Sequence, residues 1–364
     1  MRPLQYLHLD PSARQPLLKP DKGRKPALNY FPVKTSHSSA TSAGGENGRV
    51  LFIGTATTVI EWQGLRILTD PNFLREGDRV HLGPGITAER LTNPALDLDE
   101  MPPVDVILLT HYHADHFDPL VEDALNRDFP VVTTPHAKTH LVSGRAGKDP
   151  FRNVTELDFF ESLILLAPRM DHKRRPVVKV TAMPGKHVPP GPLSVANKII
   201  RAVPPTNGWM VELGYSDDIP SPVDGEIVTG YRIYISGDTL FVDDLKGIPR
   251  WLHRKRVDLM LIHLGGAAIP RPSVPLVTIT MDAKDGVQLM RLVDPDTTIP
   301  IQYDDYKHFL SSLEDFKAEV EKRKMSQQVI CLDRGDEYKF KVNDASQEEL
   351  EHIRHKSRDR QFIS

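Results

Sequence analysis

The chain has a single cysteine, Cys331, which excludes an internal disulfide framework and fits a reducing compartment. It has no apolar run approaching a membrane span, and its opening MRPLQYLHLDPSARQPLLKP lacks the apolar core of a signal peptide. Excess charge is also scarce. A net charge of −3 over 364 residues gives no strong field for nucleic acid or an anionic membrane surface. Neither a Gly-x-Ser-x-Gly nucleophile elbow nor a Gly-x-x-x-x-Gly-Lys phosphate loop occurs, and no internal repeat is present. These absences leave the expectation of a cytoplasmic protein that uses neither a serine nucleophile nor a nucleotide cradle.

What is present is an ordinary globular composition, 39% hydrophobic and 26% charged, with 31 prolines that favour loops and turns over a helical bundle. Residues 1–49 hold eight Lys/Arg against three acids, with six prolines, and SHSSATSAGGENG reads as a flexible connector. The expected organisation is a basic, Pro-rich arm over 1–48, a main domain over 49–343 and a helical tail over 344–364. The arm is expected to wrap the domain or stay mobile, with partner or membrane docking as the alternative.

From Gly48 the texture changes to strands and turns. RVLFIGTATTVIEW and LRILTDP flank the hairpin signal Gln63–Gly64, and VDVILLTH has the continuous apolar run of a strand buried on both faces. Asp118 followed by Pro119 predicts a capped helix start. VVTTP, VVKVTAMPG, GWMVELGY, YRIYISGD, VDLMLIHLGG, TTIPIQY and QQVICLD are further strand candidates. Helical spacing runs from Asp282 to Val293 and again through LEDFKAEVEKRK. Many strands with interspersed helices predict a layered α/β architecture.

The densest chemical signal is LLTHYHADHFD, residues 108–118, in which His111, His113, Asp115 and His116 crowd the exit of a buried strand. Imidazole nitrogens and carboxylate oxygens together are the donor set of a divalent transition metal. HYHADH fits the His-x-His-x-Asp-His signature, and the chain resembles the metallo-β-lactamase fold superfamily through most of residues 50–332. The ascorbate-6-phosphate lactonase-like and N-acyl phosphatidylethanolamine phospholipase D-like branch is the nearest in pattern. The companions stand in the family's order: Asp70 in ILTDP, His187 in MPGKH, Asp238 in ISGDT, then HLGG and TIPIQY. Taken alone, His187 is also an ordinary loop residue, and Asp70 and Asp238 are also ordinary turn residues.

The resemblance implies a four-layer αββα sandwich and a pair of metal ions, Zn2+ in the first instance, with Mn2+ or Fe as other occupants. It places His111, His113 and His187 on one ion, Asp115 and His116 on the other, and Asp238 on both. Asp70 would orient a ligand histidine. A metal-bound hydroxide would attack a small ester, lactone or phosphodiester, with Asp115 or Asp238 orienting the nucleophile or moving its proton. One departure stands out: Gln302 in PIQYDD occupies the place of a family histidine. Either the second ion is held more weakly, or with an extra water, or His308 in DYKHF swings in as a substitute. The first is preferred, because the loop must rearrange to deliver His308.

Other histidines carry less. His136 and His140 have helical i, i+4 spacing without a nearby third ligand and are expected at the surface or in the substrate pocket. His81 and His263 are expected at the pocket wall or rim. Val188–Pro205, with Ile199 and Ile200 between Lys198 and Arg201, is read as either a lid for an amphiphilic or anionic substrate or a plain surface loop. Two other functions stay open: a metal-binding module that has lost hydrolysis through Gln302, and an iron-dependent oxidoreductase of the same fold. The latter usually needs a flavin partner domain, for which this chain has no room. The sequence leaves the oligomeric state open.

Overall fold

The strand signals resolve into two sheets packed face to face in the computed structural model, which describes residues 4–344 apart from 20–31, 39–43, 84–85, 145–148, 169–174, 193, 195–196, 198–202, 217–226 and 270–276. One sheet has seven strands in the order Gln5–His8, Ser162–Leu166, Arg175–Pro184, Asn207–Ser216, Val228–Ile235, Leu259–His263 and Thr297–Ile301. The other has eight, in the order Val154–Glu156, Val131–Thr133, Val106–Leu108, Leu65–Thr69, Thr57–Trp62, Gly48–Gly54, Glu337–Phe340 and Thr35–His37.

Both faces of each sheet are covered, which explains the continuous apolar runs. Between the sheets, Phe52, Ile60, Trp62 and Ile67 meet Val178, Val180, Trp209 and Ile233. On the far side of the seven-stranded sheet, helices Gly247–Leu252, Ala283–Val293 and Leu313–Lys322 bury Ile248, Val287, Met290 and Phe316 against Met210, Tyr234 and Ile262. On the far side of the other, helices Pro119–Ala124 and Pro135–Ser143 bury Val121, Ala137 and Leu141 against Ile53, Leu68 and Ile107. The layers are therefore helix, sheet, sheet, helix, the sandwich expected from the sequence.

The described parts of the arm extend both sheets. Gln5–His8 pairs in parallel with Ser162–Leu166, Thr35–His37 pairs with Glu337–Phe340, and Leu9 is buried in the inter-sheet core. Of the expected C-terminal tail, 345–364 lies outside the described residues, as do Lys198, Ile199, Ile200 and Arg201.

Two expectations change. RVLFIGTATTVIEW is two strands rather than one, because Gly54 at φ 141° and Thr55 at φ 49° turn the chain back on itself. QQVICLD forms no regular strand: Val329 makes one isolated bridge to Thr298, and Glu337–Phe340 takes the ladder position beside Gly48–Gly54 instead.

What matters for function is the direction of the strands. Leu65–Thr69, Val106–Leu108 and Val131–Thr133 run parallel, as do Val228–Ile235, Leu259–His263 and Thr297–Ile301. Asp70, residues 111–116, Asp238 and Gln302 follow their carboxyl ends, and His187 follows that of Arg175–Pro184. At that edge the amide of Asn207 donates to the Thr110 carbonyl at 3.0 Å and the amide of Gln302 to the Thr55 carbonyl at 3.1 Å, tying one sheet to the other.

Candidate metal centre

Asp70 leaves its strand with φ 35°, and its buried carboxylate accepts from the Thr110 amide at 2.7 Å and the Thr110 hydroxyl at 2.8 Å. Its Oδ2 also lies 3.1 Å from Nδ1 of His116. This turns the other nitrogen of His116 towards Asp238, whose Oδ2 is 3.2 Å from Nε2. The Asp70 carboxylate thus fixes both the start of the histidine loop and the orientation of one imidazole.

His111 is fully buried, with Nδ1 3.1 Å from the Thr110 hydroxyl and Nε2 without a hydrogen-bond partner. His187 hydrogen-bonds the Ile279 carbonyl through Nδ1 at 2.7 Å, which leaves Nε2 as its free lone pair, 3.9 Å from Asp238 Oδ2. Donor atoms of His111, His187 and Asp238 lie within 4.8 Å of one another, as do those of Asp115, His116 and Asp238, and those of His111, His113 and Asp115. Asp115, His116 and Asp238 are therefore brought together. His113 groups with His111 and Asp115, and its ring lies 6.4 Å from that of His187. Its Nδ1 is 2.5 Å from Asp115 Oδ1 and its Nε2 is 3.1 Å from the Leu82 carbonyl.

Gln302, at φ 56°, brings Nε2 to 2.8 Å from His116 Nε2 and 3.4 Å from Asp238 Oδ2. It fills the position that the resemblance assigns to a histidine. His308 instead meets Phe309 edge to face, with centroids 4.8 Å apart and planes inclined by 66°, outside all three donor groups.

Two residues stand closer to the cluster than the sequence placed them: His263 was expected at the rim, and Asn72 was not singled out. His263, the last residue of its strand, is buried with Nδ1 3.4 Å from Asp238 Oδ1 but not aligned for a hydrogen bond, and neither ring nitrogen has a partner. Its position at a strand end beside the strand that delivers Asp238 was the available signal. Asn72 donates to the Asp115 carbonyl at 2.6 Å and to the Tyr306 hydroxyl at 2.7 Å, bracing the loop from below. A lone asparagine after a turn carries no such signal. His81, His136 and His140 line a cavity of about 1010 Å³ that His113 and His187 also border.

The electrostatics fit cations. Asp238 is held well below its ordinary 3.8: burial alone would raise it, but His116 beside it prevails. Burial likewise opposes protonation of His116, yet Asp238 and Asp70 raise its pKa well above 6.5. His113 is raised by Asp115 against the same burial. Burial lowers His111 and His187. Unpartnered buried atoms at His111 Nε2, Asp238 Oδ1 and Gln302 Oε1, together with a donor set of imidazoles and carboxylates, match what a divalent ion needs.

This arrangement predicts how the metal-free protein responds to pH. Above 6.5, His111 and His187 are neutral in folded and unfolded chains alike and add no slope. His113 and His116 contribute stability that is complete below 6.5 and is lost as pH rises through their higher folded values. The melting temperature of chelator-treated protein should therefore fall further below that of metal-loaded protein as pH rises from 6.5. A gap that stays constant or narrows in paired thermal melts contradicts the assignment.

A family model described as a beta-lactamase superfamily domain matches residues 65–303. A metal-dependent hydrolase of Methanopyrus kandleri is 24% identical over 292 residues, covering 80% of this chain and 99% of its own. A mitochondrial N-acyl-phosphatidylethanolamine-hydrolyzing phospholipase D of Saccharomyces cerevisiae is 31% identical over 138 residues, 37% of this chain and 26% of its own. Among solved structures, an isothiocyanate hydrolase from Delia radicum gut bacteria superimposes with a TM-score of 0.59 at 16% identity, covering 79% of this chain and 98% of that one.

Proposed function

Because the chain belongs to the beta-lactamase superfamily, we propose that it is a metal-dependent hydrolase acting on a small ester, lactone or phosphodiester. In this reading His111, His113, Asp115, His116, His187 and Asp238 hold two Zn2+ ions. The observation that carries it is the convergence of unpartnered buried donors, above all Asp238, which contributes to two of the three donor groups. When bound, such ions make a water acidic enough to attack at neutral pH and polarise the oxygen of the bond under attack.

The protein's own groups do the rest. Asp238 and Asp115, both held below the ordinary carboxylate range, stay ionised across physiological pH and are available to orient a nucleophile and accept its proton. Asp70 keeps His116 in one tautomer. The cavity above admits a molecule of modest size, and its wall of imidazoles suits an anionic or polar substrate. Relatives named as metal-dependent hydrolases and as a phospholipase D support the same reaction class.

The test is metal analysis beside a hydrolytic screen of lactones, thioesters and bis-aryl phosphodiesters. About two zinc ions per chain and turnover that chelation abolishes are expected. Turnover indifferent to chelation overturns the reading. Gln302, in contact with His116, supports one second reading, a binding module with weakened hydrolysis. A Gln302→His variant that gains turnover absent from the unaltered protein decides for it. Two bound irons together with absent hydrolysis favour oxidoreductase chemistry.

A further inference from the structure

The helix Pro135–Ser143 turns Ala137 and Leu141 into the core at 0% and 1% exposure. Their neighbours His136 and His140 are thereby set on the flank that borders the cavity shared with His113 and His187. Four residues apart, the two imidazoles lie one above the other on the helix. Their Nε2 atoms are 3.2 Å apart and share a hydrogen bond that a cation would replace, with ring centroids at 4.6 Å and planes inclined by 57°. Two nitrogens bound to one tetrahedral zinc at about 2.0–2.1 Å are separated by roughly 3.4 Å. The observed gap is close to the span of one shared cation.

The pair is also braced. The ring of His140 lies parallel to that of Tyr112, within 1° at a centroid distance of 5.1 Å. The Tyr112 hydroxyl in turn donates to the Glu122 carboxylate at 2.9 Å. Side chains already held in place lose less freedom when they chelate.

We propose that His136 and His140 form an accessory site for a divalent transition-metal cation on the cavity wall. Its ligands are distinct from the buried cluster, and the inference goes beyond the hydrolase reading without depending on it. Two imidazoles with no carboxylate favour Zn2+, Cu2+ or Ni2+ over Mg2+ or Ca2+. Two protein ligands leave the remaining positions to water, or to an anionic group of a molecule lying in the cavity. With fewer ligands and more solvent, this site binds more weakly than the cluster at the strand ends.

The experiment is equilibrium dialysis of the full chain against Zn2+, with bound metal measured at each free concentration. The unaltered protein should show one weak equivalent beyond those held tightly. A His136→Ala/His140→Ala double variant should lose that equivalent alone, and the single His140→Gln variant, at an exposed position, should weaken it. Asp238→Asn, which disturbs the buried cluster, should leave it in place. The assignment is overturned if the double variant keeps the weak equivalent or if none is present in the unaltered protein. Tight and weak equivalents are scored on different variants, so failure of this site is distinct from failure of the buried pair.

Discussion

Replacing Asp238 with asparagine is expected to lower hydrolysis by more than about 100-fold, because losing groups that only orient metal ligands already costs roughly 10–100-fold. The volume hardly changes, so packing is preserved and the effect is electrostatic. In the parent, the Asp238 carboxylate lies 3.2 Å from His116, 3.4 Å from His263 and 3.9 Å from His187. An amide offers one neutral oxygen in place of two sharing a negative charge, and it cannot accept a proton from an attacking water at neutral pH. Tightly bound zinc should fall by at least one equivalent. Metal analysis and turnover on the same preparation measure both. A variant that retains full zinc and full rate removes Asp238 from the centre.

Asp70→Asn is the second. Asp70 is fully buried and reaches no substrate, yet its carboxylate accepts from the Thr110 amide and hydroxyl and lies against His116 Nδ1. Asparagine keeps at most one of those acceptor oxygens and turns a donor towards a group that must itself donate. His116 then loses the partner that fixes its tautomer, and zinc affinity or turnover should drop roughly 10–100-fold. A positioning role predicts more than a lower rate. The affinity of the weaker of the two tight zinc equivalents should shift, while a change of thermal stability alone would leave it fixed. An unaltered zinc isotherm with reduced melting temperature would mark Asp70 as a structural residue only.

The sandwich was legible because its strands are buried on both faces and read as continuous apolar runs, such as Val106–Leu108, bounded by turn residues. The turn at Gly54–Thr55 was not: residues 54–58 interrupt the apolar run, but threonines are also good strand residues, and the positive φ of Gly54 and Thr55 is what marks the reversal. QQVICLD has the composition of a strand, but hydrogen-bonding partners decide, and Thr298 supplies just one bridge. At the candidate site, a local cluster such as His111–His116 announces itself by crowding. Distant partners like His187 and Asp238 are visible only through their order along the chain and their position after strands. His263, expected only at the rim, and Asn72, not singled out, owe their place to which segments lie side by side, which a one-dimensional pattern does not hold. Gln302 was visible as a departure, and its contact with His116 could only come from three dimensions.

The donors are divided between the two halves of the sandwich: Asp70 and residues 111–116 leave one sheet, while His187, Asp238 and Gln302 leave the other. Any ion captured by the groups that contain Asp238 would therefore couple its binding to the docking of the halves. Two of the three donor groups, those containing Asp238, draw on both halves, and a cation held there would act as a rivet across the seam. Loosening the sheets anywhere along their shared core should spill the ions before any strand unravels.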